Sequence, residues 1–140
     1  MSSPSFQTDF LDAMDRHWVD AELLNAQARV ANADQLYGLA AECGLKALML
    51  KWNMPFLNDK PQNPADQKHV DRIWDRYETY RSGQPATFAL PGPNPFQSWR
   101  IQHRYANRAD FSPARLQQHQ AGAAHVKGLI TEALRRGVLP

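Results

Sequence analysis

Ala33–Trp52, ADQLYGLAAECGLKALMLKW, is the stretch whose reading decides the fold. Leu36, Ala40, Cys43, Ala47 and Leu50 recur three or four residues apart, and Tyr37, Ala41, Gly44 and Leu48 form a neighbouring stripe. An apolar surface that wide belongs to a helix with neighbours on more than one side. A glycine inside a helix costs about 1 kcal/mol relative to alanine. Gly38 and Gly44, with Ala40, Ala41 and Ala47, therefore point to backbones that approach closely. The stretch reads as the central helix of an all-α domain. One polar pair, Glu42 and Lys46, stands on it at i,i+4 spacing.

Working outward, Phe6, Phe10, Met14, Trp18, Ala21 and Leu24 give a first helix over about 6–29, with Asp9 and Asp12 near its positive end. Glu22 is expected on its outer face. Val30–Asn32 reads as a short turn, with Asn32 or Asp34 capping the central helix. A connection that short makes the two helices antiparallel. Asn53 and Pro55 stop the central helix, and residues 54–63 form a loop. Pro64 suits a first helical turn. Val70, Ile73, Trp74, Tyr77 and Tyr80 predict a third helix over 66–80, closed by Ser82-Gly83.

Residues 84–97, QPATFALPGPNPFQ, hold four prolines and cannot be helical. Phe88, Leu90 and Phe96 predict an ordered loop over the bundle, and Trp99–Arg108 a short helix or irregular turn. Ser112-Pro113 is an N-cap followed by a first-turn proline. Leu116, His119, Ala123, Val126, Ile130 and Ala133 or Leu134 carry the last helix to Arg136, with Gly137 just beyond it. The expected fold is one all-α domain over 1–140: an antiparallel bundle of four to five helices, a Pro-rich ordered loop at about 81–97, and a frayed start at 1–5.

Charge is unevenly spread along the 140 residues. Residues 1–34 carry six acids and two bases, leaving the rest of this +2 chain strongly basic. That suits a phosphate-bearing partner or the acidic surface of a partner subunit. Cys43 is the single cysteine, so no intrachain disulfide forms, and its place on the apolar stripe makes it a small buried hydrophobe. No run of about 18 apolar residues and no signal peptide are seen, so a cytoplasmic protein without membrane association is expected. The five histidines lack metal-ligand spacing, and no metal or cofactor is expected. Trp18, Trp52 and Trp74 read as core.

The informative polar segment is Trp99–Arg108, WRIQHRYANR. Arg100, Arg104 and Arg108 offer guanidinium forks that match phosphate, Tyr105 offers a stacking face, and His103 titrates near neutral pH. Lys46, Arg100, Tyr105 and Arg108 are the candidate ligand-binding groups. His103 and Arg104, oriented by Glu42, are the candidate catalytic ones.

DAELL (Asp20–Leu24) and YGLAAECGLKAL (Tyr37–Leu48), with KHVDRIW (Lys68–Trp74) and NPFQSWRIQHRY (Asn94–Tyr105), resemble the HEPN family of small helical-bundle proteins. The resemblance implies a homodimer of four- or five-helix bundles, in toxin–antitoxin, phage-defence or RNA-processing settings. Active members are metal-independent RNases whose motif is an Arg followed, after four to six residues, by a His near the dimer interface. Arg104 and Glu42 match best. No Arg–His pair of this chain has that spacing: Arg100–His103 is separated by two residues and Arg115–His119 by three. The expectation is thus an RNA- or nucleotide-binding, or regulatory, helical dimer without the standard nuclease motif. A divergent RNase using His103 and Arg104 is the first alternative. A protein–protein module, acting as an immunity or adaptor protein, is the second.

Overall fold

The computed structural model describes residues 5–140. The expectation of a frayed start falls mostly on residues 1–4, outside the described ones. The chain forms α1 (Phe10–Ala26), α2 (Val30–Lys51), α3 (Val70–Arg81) and α4 (Pro113–Arg135). A small antiparallel hairpin, β1 (Phe56–Leu57) with β2 (Lys60–Pro61), pairs Phe56 with Pro61 and Leu57 with Lys60. The protein is an all-α helical bundle, and among the described residues no helix is long and apolar enough to cross a membrane.

α2 lies at the centre, packed against α1, α3 and α4. Its inner face is the second of the two stripes with Leu45 added: Tyr37, Ala41, Leu45 and Leu48 are fully buried, while of the first stripe Ala40 and Ala47 are buried and Leu50 is exposed. Each large side chain buried completely stabilises the fold by roughly 1.5–3 kcal/mol. The glycines admit side chains rather than a neighbouring backbone. A Cβ on Gly38 would lie 2.2 Å from the indole nitrogen of Trp99, and one on Gly44 would lie 2.5 Å from Val126. The tryptophans pack as expected: Trp18 meets Tyr37 edge-on, Trp52 meets Phe88, and Trp74 meets Phe96.

Several boundaries move, each for a local reason. α1 begins at Phe10 because Asp9 accepts from the Asp12 N–H at 3.0 Å, while Thr8 is held outside by the Asp59 carboxylate. The turn into α2 lies at Gln27–Arg29 and not at 30–32. Ala28 takes a left-handed conformation (φ 59°), which in a non-glycine residue leaves no sequence signal, and the Arg29 N–H returns to Leu24 O at 2.8 Å. Neither Asn32 nor Asp34 caps α2; its N-cap is Arg29, with no side-chain bond. Residues 64–67 form a separate 3-10 turn capped by Asn63, and α3 proper starts at Val70. Asp66 is buried there, bonded to Arg76 and Tyr80. Glu22 is not on an outer face: it accepts from Tyr37 at 2.9 Å and Gln120 at 3.0 Å, linking α1, α2 and α4.

The proline-rich segment is an ordered cover. Phe88 and Phe96 are fully buried, Leu90 is half-buried, and Tyr77 donates to Phe88 O at 2.7 Å. Trp99, fully buried over Gly38, anchors a 3-10 turn at Ile101–Tyr105. α4 starts as expected, with Ser112 accepting from the Arg115 N–H at 3.1 Å.

Candidate functional site

Residues 94–100 are tied to three helices. Asn94 donates to Asp71 O of α3 at 2.9 Å, Gln35 of α2 donates to Arg100 O at 3.2 Å, and Arg115 of α4 donates to Ser98 Oγ at 3.0 Å. This anchoring sets residues 103–108 against the start of α2. Between them lies a groove of about 650 Å³ lined by Arg29, Asn32, Gln35, His103, Arg104, Asn107, Arg108 and Phe111 among others. Three arginines and a histidine face it, and no carboxylate does. Guanidinium groups with amide donors between them suit an anion, above all a phosphate. Tyr105 is 79% exposed, and the Arg104 guanidinium stacks 4.8 Å from its ring centroid.

Behind the groove wall lies a buried polar cluster. Asp34 is fully buried in α2, and its Oδ1 stands 3.0 Å from His119 Nδ1. Its Oδ2 stands 3.5 Å from Arg115 Nε. A carboxylate can only accept here, so His119 donates from Nδ1. The other nitrogen, Nε2, is buried without a partner, and the ring stacks on Phe96 at 5.0 Å. Arg115 reaches outward to His103, Nη2 to Nδ1, at 2.9 Å. Asp34, Arg115 and His103 thus form a continuous chain from the core to the groove. Burial first, then the Arg115 and Arg100 charges, push the His103 pKa below the ordinary histidine value.

The expected site residues divide into three groups. His103, Arg104 and Arg108 line the groove, with Tyr105 beside it. Arg100 does not: it is spent on Asp71 at 3.3 Å and on the carbonyls of Gln97 and Trp99. Glu42 and Lys46 form a second cluster. They are 3.4 Å apart and largely buried, and Glu42 also accepts from His69 Nδ1 at 3.0 Å. Neither lines the groove, so Glu42 does not orient Arg104. The reason is position along α2: Glu42 stands two turns beyond Gln35, and its face is taken by His69 at the start of α3.

Asp34, Arg115, Asn32 and Gln35 were not legible as site residues. One signal existed for Asp34: it lies three residues before Tyr37 on the stripe that becomes the core, where an acid must find a partner. His119 on the apolar stripe of α4 is that partner. His125, six residues on, is exposed, and among the described residues no group of His, Cys, Asp and Glu could hold a metal ion. Burial pushes the Cys43 thiol up to about 12. Comparison with family models, with curated proteins and with solved structures returns no match to this chain.

Proposed function

We propose that this protein binds a phosphate-bearing ligand, RNA or a nucleotide, in the groove between the start of α2 and residues 103–108. The observation that carries the reading is one concave surface bearing Arg29, Arg104, Arg108 and His103, with no opposing acid and with exposed Tyr105 at its side. Arginine forks contribute charge-assisted bonds to phosphate, and a tyrosine face stacks on a base at about 1–3 kcal/mol. The concave, polar character of residues 103–108 supports a ligand site over the adaptor or immunity reading, which calls for a flat apolar face. The HEPN resemblance adds a homodimeric regulatory role in a defence or toxin–antitoxin setting, and the fold class agrees with it.

The test is oligoribonucleotide binding as a function of salt. Arg104→Ala and Arg108→Ala should each weaken affinity and lower the slope of log K against log salt by about 1. Unchanged affinity and slope in both variants would exclude the groove as the binding site.

A second reading, metal-independent phosphodiester cleavage, is favoured by one observation: His103 sits in the groove among arginines, with its ring held from behind by Arg115. Here Arg104 would stabilise phosphate charge and His103 would serve as acid or base. Purified protein that leaves mixed-sequence RNA intact, and does so equally after His103→Ala, would eliminate it.

A further inference from the structure

Arginine has no acceptor, so the 2.9 Å contact between Arg115 Nη2 and His103 Nδ1 has a single sense: Arg115 donates and Nδ1 accepts. A neutral His103 must then carry its proton on Nε2. Arg115 is not free to adapt, because its guanidinium also donates to Ser98 Oγ at 3.0 Å and Ser98 O at 3.2 Å, and its Nε faces the buried Asp34 carboxylate at 3.5 Å. The His103 ring also packs edge-on to Phe111, with the ring centroids 6.4 Å apart. Nδ1 is turned towards α4, and Nε2, on a side chain that lines the groove, has no hydrogen-bond partner among the described residues.

We propose that Arg115, clamped by Asp34 and Ser98, is a positioning residue that locks His103 in its Nε2–H tautomer and so equips the groove with a neutral hydrogen-bond donor for a phosphate or carbonyl oxygen. The inference deepens the groove reading and rests on it for the ligand, but the tautomer itself belongs to the free protein. It has a chemical consequence. Protonating His103 requires a proton on Nδ1, which expels the Arg115 bond and sets two cations together. The groups facing His103 are Arg100 on its own segment, Arg115 and His119 on α4, and Asp34 on α2; of these only Asp34 favours the charged ring. The ring therefore donates without becoming charged across the neutral range. In this state it is a hydrogen-bond donor and not a base: Nε2 has no lone pair to take a proton while Arg115 holds Nδ1, and full release of the Nε2 proton would leave an imidazolate.

Long-range proton–nitrogen NMR spectra of the free protein test the lock directly. The expected result is one Nε2–H tautomer for His103 at neutral pH, and in Arg115→Met a mixture of tautomers with the His103 pKa moved back towards about 6.5. An Nδ1–H or averaged ring in the unaltered protein overturns the proposal, whether or not Arg115→Met folds. So does an unchanged tautomer and pKa in a folded Arg115→Met. For the donor role, the probe is a labelled mixed-sequence oligoribonucleotide. His103→Gln, whose side-chain N–H stands in for Nε2–H, should keep affinity within a few-fold, while His103→Ala should lose about tenfold. Equal losses in the two variants would refute the donor role. If Arg104→Ala and Arg108→Ala leave binding unchanged while the tautomer is locked, the groove reading fails and the lock stands.

Discussion

α2 carries two buried acids, and they meet opposite fates. Asp34, near its start, and Glu42, two turns further on, each face a histidine Nδ1 at 3.0 Å, and each has a basic residue close by. Around Asp34 the partners come from α4, and one of them, Arg115, passes the interaction outward to His103 in an arginine-lined groove. Around Glu42 the partners are Lys46 of α2 itself and His69, which precedes α3; the polar contacts stop there, and beyond His69 lies only the ring of Trp99 at 6.2 Å. The same elements of chemistry serve as the foundation of a surface site in one half and as a closed structural clasp in the other. A buried acid–histidine pair is therefore not a functional signature by itself; what its outer partner faces decides its use.

That contrast is broken most severely by Asp34→Ala, which strands Arg115 and His119 without their carboxylate. Removing one member of a buried ionic cluster costs about 3–5 kcal/mol. Urea denaturation should show that loss, and the His103 ring should lose its fixed tautomer with it. Gly38→Ala and Gly44→Ala come next. Each should cost about 1–3 kcal/mol through overpacking, but only Gly38→Ala, by displacing Trp99 and the segment behind it, should also weaken oligoribonucleotide binding. Equal binding by both would sever the groove from the core beneath it. Glu42→Gln keeps the shape of the clasp and should lower stability by about 1 kcal/mol while leaving groove affinity alone. A loss of binding there would move the site to the other half of α2.

Smaller effects separate the two halves by pH. Donating a hydrogen bond to the Glu42 carboxylate raises the His69 pKa, so this histidine stabilises the fold fully below its ordinary value of about 6.5, and the contribution fades as pH rises through the raised value. His103 works with the opposite sign. Burial and its arginine neighbours lower its pKa, so the unfolded chain takes up the proton first and stability falls as pH drops below about 6.5. Denaturation midpoints followed between about pH 5 and 8, the range in which histidine changes charge, should show His69→Gln losing most at the acid end. His103→Gln should lose least there. Parallel profiles for the two would contradict the assignment of their partners. The least effect is expected at Cys43, whose thiol is pushed up to about 12: the native protein should react with thiol reagents at neutral pH far more slowly than the urea-unfolded chain.

Helix content, the capped start of α4 and the Phe-anchored loop at 84–97 were open to reading because each is a short-range property: apolar spacing, Ser before Pro, aromatics among prolines. The turn before α2 was not, since Ala28 in a left-handed conformation carries no glycine or proline to announce it. The candidate site was half legible. His103, Arg104, Tyr105 and Arg108 stand within six residues of one another, so their clustering is a fact of the chain. Asp34 and Arg115 are 81 residues apart, and their partnership with His103 exists only once α2 and α4 pack together.

By itself, then, the sequence determined an all-α bundle organised on Ala33–Trp52 and a basic, aromatic segment near residue 104. Tertiary structure alone decided which buried acid of α2 stands behind that segment. Both acids sit on one helix at a spacing of about two turns. Which of them meets the groove depends on which neighbouring helix covers each, and that follows from long-range packing around Trp99 on Gly38 and Val126 on Gly44, not from any local pattern.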